Sequence, residues 1–306
     1  MSTAILRLAF GFLALLTLCA HAVAADLPRS ARPAMWTVEH EAGRAYLLGS
    51  IHLLPPETEW QTAEIKAAIA ASSVFVFEAP INDANSTMAR FVERHGRIEG
   101  GRSLREVIGN EAHEAVSRAA WQVHYPPRLL ETVRPWLAAV YLELYSSLKM
   151  GSSPHFGVDH VIEQLANSRG AKVAYLETVE EQLTYFLKLS RKDEMRYLRA
   201  TADGILTKPD AGRELLAAWA SADVARLDAL IEEGLADVPQ LKVQLLTARN
   251  RKWLPAIEDM VKSGDVHFVT VGAAHLAGAD GIIGLLAARG YKITGPAVSA
   301  GPKLPR

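Results

Sequence analysis

Tyr46-Leu47-Leu48-Gly49-Ser50-Ile51-His52 and Val266-His267-Phe268-Val269-Thr270-Val271-Gly272-Ala273-Ala274-His275 are two stretches of one design. Each is an apolar run that reads as a β-strand, closed by glycine, with a histidine three residues on. Glycine lets the backbone turn at a strand end without a Cβ penalty. In open α/β sheets, ligands bind beyond the carboxyl ends of the strands. Two such motifs near opposite ends of the chain predict that the first and last strands share a sheet. They also predict two imidazoles at one site.

Other strands extend this picture. Met35 to His40 and Arg44 to Leu48 read as a hairpin, with Glu41-Ala42-Gly43 as its turn. Val74-Phe75-Val76-Phe77 is a continuous apolar run, suited to a strand buried on both faces, and it ends in Glu78. Lys172 to Leu176 is read as a similar strand ending at Glu177, and Tyr291 to Thr294 as a short final one.

Between the strands, the segments 103–121, 134–148, 160–168, 179–189 and 280–289 show helical apolar spacing. Thr178 and Glu181 form a capping box. Residues 211–261 read as several further helices, interrupted at Gly234 and Pro255. The expected architecture is α/β, with a mainly parallel or mixed central sheet built from N- and C-terminal strands and a helical insertion over it. The tryptophans at 121, 136, 219 and 253 are expected to pack helices.

The N-terminus reads as a secretory signal. Arg7 is the positive n-region, Leu8 to Ala20 the apolar core, and Ala22-Val23-Ala24 the cleavage site. The core is short of the roughly 20 residues a membrane span needs. Residues 1–24 are therefore expected to be cleaved, leaving 25–306 as one α/β domain, periplasmic or secreted, with no transmembrane span. Cys19, the only cysteine, falls inside the signal, which excludes thiol chemistry and disulfides in the product. Leu18 sits where a lipoprotein signal needs a small residue, so lipid anchoring is the lesser expectation. A formal charge of −1 provides no basic excess for nucleic acid.

The chemistry-bearing residues cluster at expected strand ends. His52 and His275 with a carboxylate make a donor set that borderline transition metals accept, leaving a position open for water. Glu78 is the natural carboxylate, and Glu177 occupies the equivalent place after its own strand. Asp159, in Phe156-Gly157-Val158-Asp159, reads either as a helix N-cap or as a functional acid. Arg249 and Asn250, near Trp253, read either as a solvated helix face or as a group that stabilises developing negative charge. The chain has no G-x-S-x-G elbow, no H-E-x-x-H helix and no phosphate-binding loop of the G-x-x-x-x-G-K-[ST] form.

In order and spacing, these elements resemble the TraB/GumN family, which is related to the animal Tiki proteins and more distantly to erythromycin-esterase-like and haem-binding ChaN-like proteins. They are the stretch from Tyr46 to Pro55, Phe77-Glu78, Phe156 to Asp159, Tyr175 to Thr178 with Gln182, Arg249-Asn250, and Val271 to Leu276. The resemblance implies an α/β fold and, by analogy with the Tiki proteins, a metal-dependent hydrolase of peptide bonds. On that analogy His52, Glu78 and His275 would hold manganese, cobalt or zinc. Glu177 or Asp159 would act as general base or support, and Arg249 beside Asn250 would steady the oxyanion. The expected partner is a peptide or small-molecule substrate. Two alternatives stand beside this. One is a non-catalytic binder of a peptide signal or haem-like ligand; the other is metal-free hydrolysis with a histidine as base.

Overall fold

The computed structural model describes residues 29–41, 43–80 and 84–297, so the expected signal segment lies outside the described residues. Strands β1 (Met35–Glu39), β2 (Arg44–Ser50) and β3 (Val74–Phe77) come from the N-terminal part of the chain. Strands β4 (Lys172–Tyr175), β5 (Val266–Gly272) and β6 (Lys292–Thr294) follow much later. All six form one mixed sheet in the order β4-β3-β5-β2-β1-β6. Neighbours from β4 through β3 and β5 to β2 are parallel, and β1 pairs antiparallel with both β2 and β6. The α/β class and the meeting of N- and C-terminal strands are as expected.

The register matters for function. Ser50 lies beside Gly272, and Phe77 beside Thr270, so β2, β5 and β3 finish together. Whatever follows each of them emerges at one rim. Phe75, Phe77, Leu47, Leu48 and Phe268 are fully buried along these strands, each contributing about 1.5–3 kcal/mol by burial. Strand β4 is less covered than its sequence suggests. It has a neighbour on one side only, and its residues are exposed or half-buried.

Helices α1 (Ala63–Ala71), α2 (Ala84–His95), α3 (Leu104–Ile108), α4 (Asn110–Gln122) and α5 (Pro135–Lys149) precede β4. So does α6 (Val158–Ser168). After β4 come α7 (Val179–Leu187), α8 (Arg191–Thr207), α9 (Ala211–Ala220) and α10 (Val224–Leu235). Then follow α11 (Pro239–Lys242), a π-turn (Val243–Thr247), α12 (Ala248–Lys262) and, past β5, α13 (Ile282–Ala288). The helix expected over 103–121 is two helices, because Gly109 between them sits at φ +83°. The interruption expected at Gly234 falls one residue on, where α10 ends at Leu235, but Pro255 interrupts nothing and lies inside α12. A further break falls near Asp223, whose carboxylate accepts from Arg226 N at 3.0 Å and caps α10.

Apolar side chains gather in two clusters. One wraps the sheet and takes in Trp219 and Trp253; the other lies among α2 to α5, α7 and α8 around Trp136, Leu142 and Leu198. Trp121, expected to pack, is 68% exposed. Helix α7 joins the clusters, since Phe186 stacks on Trp136 at 5.1 Å while the helix starts directly beyond Glu177. Among the described residues no helix is long and apolar enough to cross a membrane.

Candidate functional site

The first histidine is held by the start of α6. Val158 N donates to Ile51 O at 3.0 Å, docking the helix onto the end of β2. Gly157 is the N-cap of α6, with no side chain to cap it. Asp159, two residues on in the first turn and 5% exposed, spends both oxygens on the β2 end rather than on a cap. Ser50 Oγ donates to Asp159 Oδ1 at 2.8 Å, and Asp159 Oδ2 lies 2.8 Å from His52 Nδ1. An ionised carboxylate only accepts, so Nδ1 carries a proton, and Nε2 comes within 3.8 Å of where a Cβ on Gly272 would lie. The His52 side chain is 57% exposed, the open end of the site. The Asp159 charge, helped by Glu78 and working against burial, pushes this imidazole up to about 9.

Behind it lies a buried cluster drawn from four elements. Glu78 follows β3, Glu177 follows β4, His275 closes the turn after β5, and Arg249 and Asn250 open α12. Arg249 Nη2 donates to Glu78 Oε2 and to Glu177 Oε1, each at 2.6 Å, and Arg249 Nε reaches Glu177 Oε1 at 3.0 Å. Arg249 Nη1 lies 3.1 Å from His275 Nε2 and 3.1 Å from Leu245 O, a carbonyl of the π-turn. Asn250 Nδ2 donates to Asp280 O at 3.0 Å, which turns its oxygen toward His275 Nδ1, 2.6 Å away. His275 accordingly carries its proton on Nδ1 and accepts from Arg249 at Nε2.

The electrostatics follow from burial and this wiring. Burial pushes His275 down to about 3, so the ring is neutral. Burial alone would raise Glu78; His275, Arg249 and His52, with the Gly272 amide donating to Oε1 at 2.7 Å, reverse that and hold it at about 2. Burial raises Glu177 above the ordinary carboxylate range despite Arg249, and its Oε2 is buried without a partner. Burial also works against the Arg249 charge, which Glu78 and Glu177 more than restore. Aromatic faces flank the guanidinium, Trp253 at 4.6 Å and Tyr185 at 5.8 Å.

All seven residues singled out from the sequence thus meet at one rim. Ser50, Gln182, Tyr185 and Trp253 were not singled out as site residues. Gln182 Nε2 donates to Glu78 Oε2 at 3.0 Å. Its sequence signal was its place one turn beyond the Thr178 capping box, which aims that face of α7 back at the strand ends. Ser50 lies inside the first glycine–histidine motif itself.

The expected metal ligands do border one another. A Cβ on Gly272 would lie 3.2 Å from Glu78 Oε1, 3.6 Å from His275 Cδ2 and 3.8 Å from His52 Nε2. Two imidazoles and a carboxylate are the right donor chemistry. The donor atoms are engaged elsewhere, however. Glu78 Oε2 and His275 Nε2 bind Arg249, and among the described residues no group of three or more His, Cys, Asp or Glu is disposed to hold a metal ion. As placed, the set does not fit an ion.

No curated protein and no solved structure matches the chain. The model of the TraB/PrgY/gumN family matches residues 34–295, taking in every strand and every residue of the rim. With nearly the whole described chain inside that match, the protein belongs to the TraB/PrgY/gumN family.

Proposed function

We propose that the rim is the active site of a hydrolase acting on a carbonyl centre, a peptide bond first and an ester second, with His52 as the proton-transfer group. The observation that carries this is the Asp159–His52 pair. The His52 Nδ1 is fixed at 2.8 Å by a buried carboxylate that Ser50 in turn orients, while the side chain as a whole stays 57% exposed. This is the arrangement in which an imidazole takes a proton from water as the water attacks and returns it to the leaving group. Glu78 and His275 form the floor beneath that position, close enough to Gly272 to orient the water or the scissile group. A carboxylate and a neutral imidazole held in fixed protonation states need no reorganisation as charge develops.

The deciding assay incubates the purified chain with a peptide library and an ester panel, read by mass spectrometry, after dialysis against EDTA and again with manganese, cobalt or zinc added. Turnover that survives EDTA is the expected result. Tight retention of a peptide or haem with no turnover in any arm would replace this reading by the sequestering one. Turnover strictly dependent on added metal would restore the metal-dependent reading.

The enzyme is further proposed to act outside the cytoplasm, on the strength of the ordered n-region, apolar core and Ala22-Val23-Ala24 site. N-terminal sequencing of the native protein is expected to begin at Ala25. A chain beginning at Met1 or Ser2 in the cytoplasm contradicts export.

A further inference from the structure

A cleft of about 1020 Å³ opens beside the rim, lined by none of the residues that build it. Met35, Pro55, Trp60 and Phe156 line it, with Val161 of α6 and the first turn of α1. Met35 pairs with Leu48 near the end of β2, so the segment entering β1 stands where β2 leaves off. Strand β1 lies on one side of β2; β5 and β3, which lead to the buried cluster, lie on the other. His52, just beyond β2, therefore stands between the cluster and the cleft.

Main-chain pairing ties the cleft wall to His52. Leu54 N donates to Ser153 O at 3.3 Å, Ser153 N to Leu54 O at 2.8 Å, and Val158 N to Ile51 O at 3.0 Å. His52 is thus held within a short ladder between residues 51–54 and 153–158. Pro55 and Phe156, one from each side of that ladder, are walls of the cleft. Pro55 is three residues from His52, a reach of at most roughly 11 Å. Phe156 adjoins Gly157, where an added Cβ would lie 2.1 Å from His52 O.

The chemistry of the lining decides between occupants. A phosphorylated ligand calls for a basic excess, yet Glu57, Glu59 and Glu64 stand against only Arg32 and Lys66. A lipid chain calls for an unbroken apolar wall, and Thr58, Gln61 and Thr62 interrupt this one. A polypeptide alternates apolar side chains with main-chain donors and acceptors, and the wall is mixed in the same way. Among the described residues the Glu57 carboxylate and the Gln61 amide have no hydrogen bond or ion pair, so both can meet a ligand. Phe156 is 43% exposed, an aromatic side chain left open at the cleft. The volume is at the upper end of what small-molecule pockets enclose, more than one acyl group needs.

We propose that this cleft is the binding subsite of the rim, seating several residues of an extended polypeptide on one side of the bond presented to His52. The inference rests on the reading of the rim as a hydrolase and narrows its substrate from any carbonyl compound to a polypeptide segment. Its test reads binding as well as turnover, so the two can fail separately.

The experiment uses blocked peptides of leucine, proline, phenylalanine, lysine and glutamate, made as a dipeptide, a tetrapeptide and an octapeptide. Each is titrated by calorimetry into the full-length His52→Ala chain, in which turnover is slowed. Affinity is expected to rise about tenfold or more from dipeptide to octapeptide, the effect of burying one further apolar side chain. Phe156→Ala removes an open wall, and Ala63→Trp fills the cleft from the exposed start of α1. Each is expected to cut that ratio about tenfold. In the wild-type chain both should raise KM for the octapeptide more than they lower kcat, as loss of uniform binding does. If Phe156→Ala fails to fold, Ala63→Trp decides, since it adds bulk at an exposed position. Equal affinity for dipeptide and octapeptide overturns the proposal, as does a length dependence that the folded variants leave intact, or a cleft that takes haem and no octapeptide. Length-dependent binding with no turnover by the wild-type chain refutes only the hydrolase reading. Turnover with no length dependence refutes only this one.

Discussion

Replacing His52 by alanine is expected to lower kcat/KM by about 10²- to 10⁴-fold on any substrate the chain turns over, with the fold intact. The side chain is more than half exposed and its removal opens no cavity in either apolar cluster, so thermal unfolding should be nearly unchanged. The pH profile carries the sign. A base must be proton-free, and Asp159 raises His52 to about 9, so kcat/KM should climb with pH and level off near that value. Asp159→Asn removes the anion that raises the pKa. Its rising limb should move to lower pH while the plateau falls, because the ring loses its fixed orientation. A profile that falls as pH rises toward 9 would instead make His52 an acid.

Gly157→Ala is the second change with a large expected effect. The backbone there is ordinary, at φ −56°, so glycine is not required by conformation. It is required by approach. A Cβ at 157 would lie 2.1 Å from His52 O and 2.7 Å from His52 C, both main-chain atoms that cannot turn aside. The methyl must push the start of α6 away from the end of β2, straining the Val158–Ile51 hydrogen bond and parting Asp159 from His52. Overpacking of this kind costs about 1–3 kcal/mol, and a displacement near 1 Å in a catalytic pair costs on the order of 10²-fold in rate. Denaturant midpoint and kcat/KM should therefore fall together, unlike in His52→Ala. A variant with unchanged activity would show that the contact between α6 and β2 does not hold the pair.

How much of this was legible in the sequence depended on range. The strands before both glycine–histidine motifs were readable because an apolar run and a glycine are local signals, and Val74 to Phe77 was readable because four consecutive apolar residues leave little else. The exposed state of β4 was not readable, since Lys172 to Tyr175 says nothing of whether a neighbour lies on its far side. Helix breaks were misplaced for a related reason. Pro255 carries an intrinsic penalty that neighbouring turns absorb, whereas the Asp223 cap is a positive signal that settles a boundary. In the site, the identity of the residues was visible and their wiring was not. Asp159 was balanced between cap and functional acid, and the position of Gly157 as the actual cap removes the first of these. Arg249 was visible as a charge beside a tryptophan. Facing inward, it donates to a carbonyl of the π-turn before it, and no residue type announces a π-turn.

Strand β5 lies between β2 and β3, although it comes nearly 190 residues after β3 ends and later than every helix but α13. This imposes an order of events on a chain made from its N-terminus. While β5 is still unmade, β2 and β3 have no common partner, and their facing edges carry unpaired amides and carbonyls, the kind of edge that invites wrong pairing. Closing so distant a contact is the slow part of forming such a topology. The strand that fills the gap also brings Gly272 and His275, so completing the sheet and completing the pocket are one step. An unfinished chain can hold His52, Glu78, Glu177 and Arg249 and still have no rim to gather them. Until β5 is made, the growing chain cannot assemble the rim.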